Sequence, residues 1–378
     1  MRGIKRKLDL TWHKGITAIY QVLGKHVKLT RRLKALAERG QAGAEEWWTL
    51  GILYLRSQEW ERAVHAMLNA VRLGNNAPQY LYWLGKAEEK AGHETAAEAL
   101  YDRVMKIADY FWEAYAAKAQ LLLNRGDYSE ALVYFTEALI LKPDDPYLLN
   151  NIGLCFLGME ELNGAKQYLQ EAVARKPLDD YLHYNYGTVL VSLGEYDSAI
   201  TQFTMIMNKD DAALQNVLGY CYGMLQEYEE SINCYQEALR LDPGNLEWKK
   251  NLAAIYARAN KYEQAVQLMK DLLLVNPQDS EILNNLAWIY EAQSQYSEAE
   301  ENYYRGLAAS DGSPDIAYNL ICCLQRQKKY MEALELTGYL QKIPEKQRFY
   351  WSAIGQIYED FGAGNLAVDC YNKSLGLE

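Results

Sequence analysis

The chain has 378 residues, a net charge of −11, 49% hydrophobic residues and 12% aromatic residues. This composition is typical of a folded protein and excludes a disordered, collagen-like or disulfide-stapled chain. No apolar segment near the start reaches the roughly 18 residues that a membrane span needs, and no signal-peptide pattern follows the basic start. The six cysteines form no CxxC pair, so we expect free thiols in a reducing cytoplasm.

Residues 1–43 form an element of their own, because their net charge is +9 whereas residues 44–378 carry −20. Apolar residues recur at helical spacing within residues 10–43, which predicts a degenerate helical hairpin that caps the fold. These apolar residues are Ile16, Tyr20, Leu29, Leu33 and Leu36.

The basic residues of the same segment indicate a second role, which is contact with an anionic membrane surface or an acidic partner. The candidate contacts are Arg2, Lys5, Arg6, Lys7, Arg31 and Arg32. The two roles are compatible with each other. Nucleic acid is an unfavourable partner, because the strongly acidic remainder of the chain would repel a long polyanion.

From residue 44 onward the sequence repeats with a period of 34 residues. Position 20 of the repeat is Ala except at Ser231, and position 8 is Gly or Ala except at Ile321. Small residues at these positions let two helices approach closely, and aromatic residues at positions 11 and 24 fill the space around them. The repeats fill residues 44–378, and they start at residues 44, 78, 112, 146, 180, 212, 246, 280, 314 and 348.

The pattern W-x2-L-G-x2-Y, followed by A-x3-F and then by A and P, resembles the tetratricopeptide repeat (TPR) family over residues 44–378. This resemblance implies an all-α fold in which antiparallel helix pairs stack into a right-handed superhelical solenoid with a concave groove. The departures from the family pattern are Lys118 at a Leu position, Leu169 and Thr337 at aromatic position 24, and Asp109, Asp211 and Asp311 where other repeats have Pro.

The sequence contains no motif that indicates catalysis. Phosphate-binding, dinucleotide-binding, zinc-protease and nucleophile-elbow patterns are absent, and the five histidines lack ligand spacing. We therefore expect no enzymatic activity, no metal and no cofactor. The cysteines recur at repeat positions, which favours buried packing: Cys155, Cys221 and Cys323 at position 10, and Cys234 and Cys370 at position 23.

Positions 2, 5, 9, 12 and 13 of the first helix share one face, which lines the groove in the family that the chain resembles. This face is charged in the outer repeats and neutral and aromatic in the middle ones, as expected for a recognition surface. The predicted contacts are Tyr147, Tyr181, Tyr184, Asn216, Tyr220 and Trp288.

Position 6 borders this face and is Asn from the fourth to the ninth repeat, with an interruption at Val217. An amide both donates and accepts, so a ladder of them can hold the backbone of an extended peptide. The ladder resembles that in the TPR superhelix of O-linked N-acetylglucosamine transferases, but Asn is also a common residue here in the family, and both interpretations stay open. The ladder consists of Asn151, Asn185, Asn251, Asn285 and Asn319.

The carboxylate clamp of chaperone-binding TPR proteins matches no three consecutive repeats, which disfavours a chaperone-tail receptor. The sequence therefore predicts a non-enzymatic, cytoplasmic scaffold that binds a protein or peptide segment in the groove. One alternative is a regulatory or substrate-recruiting subunit of a larger enzyme or secretion assembly. Another is a self-assembling structural protein, because apolar surface is expected to stay uncovered after Tyr371 and Leu375, where copies of the chain could associate end to end or a downstream segment could be missing.

Overall fold

The computed structural model describes residues 26–340 and 347–377, and these residues form two compact units, one up to Leu193 and the other from Gly194. The predicted all-α fold is confirmed, since the described ranges contain α-helices joined by short turns and no strand. Within each unit, consecutive helices pack as antiparallel pairs in a solenoid arrangement. None of the helices in these ranges is long and apolar enough to cross a membrane.

The first unit contains ten helices within its described residues. They are α1 His26–Glu38, α2 Ala44–Arg56, α3 Trp60–Leu73, α4 Pro78–Ala91, α5 Glu94–Ile107, α6 Trp112–Arg125, α7 Tyr128–Leu141, α8 Pro146–Gly158, α9 Leu162–Arg175 and α10 Asp180–Ser192.

The second unit continues the same alternation over 194–340 and 347–377. Its helices are α11 Tyr196–Met205, α12 Ala212–Met224, α13 Tyr228–Leu241, α14 Leu246–Arg258, α15 Tyr262–Val275, α16 Ser280–Ala292, α17 Tyr296–Ala309, α18 Pro314–Arg326, α19 Tyr330–Glu335, α20 Thr337–Leu340, α21 Gln347–Asp360 and α22 Gly364–Leu375.

The two small positions of the repeat lie where paired helices come closest. Ala63 and Ala97 at position 20 are fully buried. A Cβ atom added to Gly51 would lie 2.7 Å from Cε of Met67, and one added to Gly85 would lie 2.6 Å from the ring of Tyr101. Glycine at position 8 is therefore a packing requirement, because the large residue at position 24 occupies the space of a Cβ atom.

The turn inside each repeat has a left-handed residue at position 15. Its φ is 74° to 90° at Gly92, Gly126, Gly194 and Gly362, and 58° to 64° where the residue has a side chain. The following amide donates to the carbonyl at position 11, as in Glu59 N to Tyr54 O at 2.9 Å, which satisfies a terminal carbonyl of the first helix. The positions with side chains are Gln58, Glu160, Gln226, Asn260, Ser294 and Lys328.

Lys118, which replaces the usual Leu, is buried and bonded. Its ammonium donates to Asp102 at 2.8 Å, lies 3.6 Å from Glu98, and stands 4.5 Å from the centre of the Tyr134 ring. Burial alone would lower its pKa, but the hydrogen bonds with Asp102 and Tyr134 outweigh burial and raise it. The first unit therefore tolerates a charge at a core position because the charge is paired.

Two second helices differ from the expected continuous helix. The fifth repeat is two residues short, and α11 ends at Met205, where the Lys209 ammonium donates to the Thr204 carbonyl at 2.7 Å and caps the helix end. In the ninth repeat, α19 ends at Glu335 and α20 starts at Thr337, whose hydroxyl donates to the Leu334 carbonyl at 2.7 Å. This side-chain bond competes with the helical backbone pattern.

The apolar face of helix α1 packs against the core of the first unit. Leu33 is buried, and Leu29 and Leu36 pack against a core that includes Trp48. Only the charged face of α1 is left for a partner. Of the other residues predicted in this segment, Ile16, Tyr20, Arg2, Lys5, Arg6 and Lys7 lie outside the described residues.

Candidate functional site

The predicted recognition face of the first unit presents aromatic rings to solvent. Tyr147 at the start of α8 is 42% exposed, and Tyr181 at the start of α10 is 52% exposed. Tyr184 and Thr188, further along α10, are half-buried. Because tyrosine combines a large apolar ring with a polar tip, such a surface suits a protein partner.

Tyr147 is held in place by an ion pair. Its hydroxyl donates to Asp179 Oδ2 at 2.6 Å, and the Lys176 ammonium donates both to the Tyr147 hydroxyl and to Asp179. Burial raises the pKa of Asp179, but the bonds from Lys176, Tyr147 and the Leu182 amide outweigh burial, so that its pKa is lowered overall. Asp179 also caps α10, so the exposed ring of Tyr147 is fixed to a helix end.

The amides of the first unit form a connected chain rather than a row of free groups. Asn185 Nδ2 donates to Asn150 Oδ1 at 2.7 Å, Asn150 Nδ2 donates to Asn151 Oδ1 at 3.1 Å, and Asn151 Nδ2 donates to Gln120 Oε1 at 3.4 Å. Gln120 in turn donates to Asn124 at 2.9 Å. Asn150 occupies position 5 of its repeat, which belongs to the predicted recognition face, but it is fully buried, because its side chain lies between Asn185 and Asn151.

The second unit repeats this contact in two separate pairs. Asn251 Nδ2 donates to Asn216 Oδ1 at 3.5 Å, and Asn319 Nδ2 donates to Asn284 Oδ1 at 2.9 Å. Each pair joins position 6 of one repeat to position 5 of the preceding repeat. Asn285 has Lys250 at that preceding position, and its side-chain amide makes no hydrogen bond with residues of the described ranges. The ladder amides therefore differ in how much hydrogen-bonding capacity they keep for a partner.

Two aromatic side chains of the second unit stand on the same face. Tyr220 on α12 is 42% exposed, and Trp288 on α16 is 47% exposed. The Tyr220 ring meets the Tyr196 ring edge to face, with centroids 6.0 Å apart. The hydrogen bond from this neighbour raises the pKa of Tyr196.

Sequence analysis missed a polar contact between positions 12 and 24 of a repeat. The buried Tyr303 hydroxyl donates to Glu291 Oε2 at 3.0 Å, and Arg326 donates to Glu291 Oε1 at 2.7 Å. The other pairs are Tyr101 with Glu89 at 2.8 Å, and Tyr371 with Glu359 at 2.7 Å. The third repeat, by contrast, has Leu123 and Phe135 at these positions. In three repeats a Tyr at position 24 occurs together with a Glu at position 12, and in the third repeat a Phe occurs together with a Leu. This pairing of residue types could have revealed the contact from the sequence.

The remaining candidate contacts are on the surface. Arg31 and Arg32 of α1 are exposed, and Leu366, Val368 and Leu375 of α22 are exposed as well. Contact with an anionic surface through the arginines and end-to-end association through α22 both stay predictions.

No group of His, Cys, Asp and Glu in the described part of the chain could hold a metal ion. The cysteines there are free thiols, as predicted, and four of them are buried. Burial raises the pKa of Cys155 and of Cys221 to about 12, which leaves almost no thiolate near neutral pH. These thiols fit packing and not nucleophilic chemistry.

Family comparison agrees with the repeat pattern. Models described as tetratricopeptide repeat match residues 49–110 and 152–206, residues 112–145, residues 224–289, and residues 281–310. The matches fall in both units.

Similar proteins are known in animals and bacteria. The BBSome complex member BBS4 of Mus musculus is 23% identical over 260 residues, which cover 59% of this chain and 50% of that protein. The Bos taurus protein of the same name is 21% identical over 60% of this chain and 37% of that protein. The chain thus spans half or less of these relatives. A tetratricopeptide repeat protein of Parabacteroides merdae shares the fold, with a TM-score of 0.53 and 14% identity over 68% of this chain and 98% of that one.

Proposed function

We propose that this chain, which belongs to the tetratricopeptide repeat family, is a non-enzymatic scaffold that binds a segment of another protein on the face formed by its first helices. Protein binding is the general role of such repeats, and the face, the segment and the residues are our proposal. The exposed aromatic rings beside a packed core of small residues offer a surface for contact with another protein.

The observation that carries the proposal is the exposure of Tyr147 and Tyr181, at 42% and 52%, on a face whose positions 2, 5, 9, 12 and 13 hold no charged residue in the fourth and fifth repeats. Interfaces are enriched in aromatic residues relative to the rest of the protein surface. The ion pair of Lys176 and Asp179 holds the Tyr147 ring in one position, which lowers the entropy lost on binding.

The experiment is affinity capture from the native cell extract with the intact chain and two variants. Tyr181→Ala removes an exposed ring from the face, and Tyr304→Ala removes an exposed ring from the second helix of its repeat, outside the face. We expect a partner that the intact chain and Tyr304→Ala retain and Tyr181→Ala loses, with unchanged circular dichroism. Equal capture by all three would contradict the proposed face.

A second candidate function is that of a subunit in a stable multiprotein assembly. The likeness to a protein named as a BBSome complex member favours it. Size-exclusion chromatography of the native extract tests it, because a permanent subunit elutes only at the size of the assembly, whereas a transient scaffold also elutes at the size of the free protein.

A further inference from the structure

We propose that the second unit binds an extended protein segment that places one bulky apolar side chain over Ala254, between Tyr220 and Trp288, with a Lys or Arg beside it. We call the surface formed by Ala254, Tyr220 and Trp288 the Ala254 notch. This inference rests on the proposed function and names the chemistry of the partner.

The notch arises from an alternation of large and small residues. Position 9 of the successive first helices α12, α14, α16 and α18 is Tyr220, Ala254, Trp288 and Cys322. Neighbouring first helices are in contact, so Ala254 lies between two exposed rings without filling the space that separates them. At Cys322 the aromatic Tyr318 lies one turn earlier on α18, whereas Ala254 has Lys250 at that place. Of these four position 9 residues, Ala254 has the smallest side chain.

Neighbouring contacts keep the notch open and its wall fixed. Lys250 lies one turn before Ala254 and could cover it, but its ammonium is held by Glu281 at 2.9 Å and by Glu247 at 3.1 Å. The Tyr220 ring is supported by Tyr196. Preformed walls of this kind reduce the entropy lost when a side chain enters.

The amides beside the notch favour an extended backbone over a helix. The side-chain amide of Asn285, one turn before Trp288, makes no hydrogen bond within the described ranges, and the exposed side-chain amide of Asn251 makes only a long 3.5 Å bond. Free amide donors and acceptors suit a segment whose own backbone groups lack partners, whereas a helix satisfies those groups internally.

Helix spacing sets the length of the segment. Packed helices lie about 8–10 Å apart, so the Tyr220 and Trp288 positions are roughly 16–20 Å apart. An extended chain rises about 3.3 Å per residue, so five or six residues span this distance. A single central anchor with two or three residues on each side fits the notch.

The acidic edge of the notch selects the neighbouring charge. The side chains of Glu247 and Glu281 are 72% and 64% exposed, and Asp279 lies behind them. Lys250 pairs with all three, which leaves an excess of negative charge at this edge, whereas the exposed Arg258 lies one turn after Ala254, on the opposite side of the notch. A Lys or Arg within two positions of the apolar anchor complements it.

The test is selection of a displayed library of random 12-residue peptides against the full chain and three variants. Trp288→Ala removes one wall, Ala254→Leu fills the notch, and Glu247→Gln with Glu281→Gln removes the charge of the edge. Tyr181→Ala, in the other unit, is the matched control. Selected peptides are synthesised, and their Kd values are measured by fluorescence anisotropy.

We expect selected peptides with one bulky apolar residue flanked by Lys or Arg, and no helical spacing of anchors. Their affinity should fall roughly 30-fold with Trp288→Ala, as for a central interface residue, and should not change with Tyr181→Ala. Ala254→Leu should weaken binding similarly, and the Gln variant should lose the basic preference and keep the apolar one.

Two results would refute binding at the Ala254 notch and leave the proposed scaffold function intact. One is selection of peptides whose anchors have helical spacing. The other is peptides that bind the Trp288→Ala and Ala254→Leu variants as tightly as they bind the intact chain. Absence of any selected peptide from the intact chain would contradict peptide binding itself and the notch with it. Thermal unfolding of each variant shows whether it is folded, and a second wall variant, Trp288→Gln, replaces Trp288→Ala if that variant unfolds.

Discussion

The contact of Glu291, Tyr303 and Arg326 gives a prediction whose size follows from the structure. Tyr303→Phe removes a hydrogen bond to a buried, charged acceptor and leaves Glu291 paired with Arg326. We expect a loss of about 2 kcal/mol in the free energy of unfolding. Glu291→Leu leaves the buried Tyr303 hydroxyl without its acceptor, at a similar cost of about 2 kcal/mol, while Arg326, which is largely exposed, becomes hydrated.

The double variant Tyr303→Phe with Glu291→Leu should be within about 1 kcal/mol of the intact chain, because replacing a whole polar contact by apolar residues is far less costly than breaking it. The chain already contains this solution, since Leu123 and Phe135 occupy the same two positions of the third repeat. The two changes should therefore be coupled by about 3 kcal/mol.

The assay is native-state hydrogen exchange of the α16 and α17 amides, because stability in a repeat array is a sum of local contributions. Tyr235→Phe is the matched control: Tyr235 occupies position 24 of the sixth repeat, where position 12 is Gly223 and offers no carboxylate. If the double variant loses as much protection as the two single variants together, the contact is not the source of the coupling and the reasoning is wrong.

Three further predictions follow from single sites. Asn150→Ala should cost about 1–3 kcal/mol in urea unfolding, since it removes the hydrogen-bond partner of the half-buried amides of Asn151 and Asn185, whereas Asn285→Ala should change stability by less than about 0.5 kcal/mol; equal effects would contradict the amide chain. The pKa of Asp179 is lowered in the folded chain. The intact chain should therefore be more stable than the Asp179→Asn variant above a pH of about 4, and this difference in stability should be lost as the pH falls through the folded pKa. Thermal unfolding between pH 7 and pH 2.5 measures the difference. A constant difference over this range would contradict the ion pair. At pH 8, Cys155 and Cys221 should react with a thiol reagent about a thousandfold more slowly in the folded chain than in denaturant, because burial raises their pKa to about 12. Fast labelling of the folded chain would refute their burial.

The fold was predictable because its contacts are local and repeated. Gly51 and Gly85 lie where the position 24 side chain leaves no room for a Cβ atom, and the Ala at position 20 is buried against the partner helix. Each repeat therefore contains the residues that determine how its own two helices pack. The left-handed residues in the turns were harder to predict from the sequence. Gly92 and Gly126 mark the left-handed residue in the sequence, but Gln58 and Ser294 adopt the same φ without any such mark, because the surrounding helix pair imposes it.

The candidate site was predictable only in part. Helical periodicity placed Tyr147, Tyr181 and Trp288 on the recognition face of their own repeats, and all three side chains are exposed. Periodicity could not show that Asn150 is buried, because its burial depends on Asn185 of the next repeat reaching back to it.

The sequence by itself determined the all-α class, the repeat length, the helix-pair packing and the free thiols, since each follows from residues within one or two turns of each other or at fixed spacing. Only the tertiary structure decided which amides are already bonded, which carboxylates accept from a buried Tyr, and where an exposed ring has space beside it. The physical reason is that hydrogen bonding and exposure depend on distances of about 3 Å between neighbouring repeats, and a position in a repeat fixes the face of a residue but not these distances.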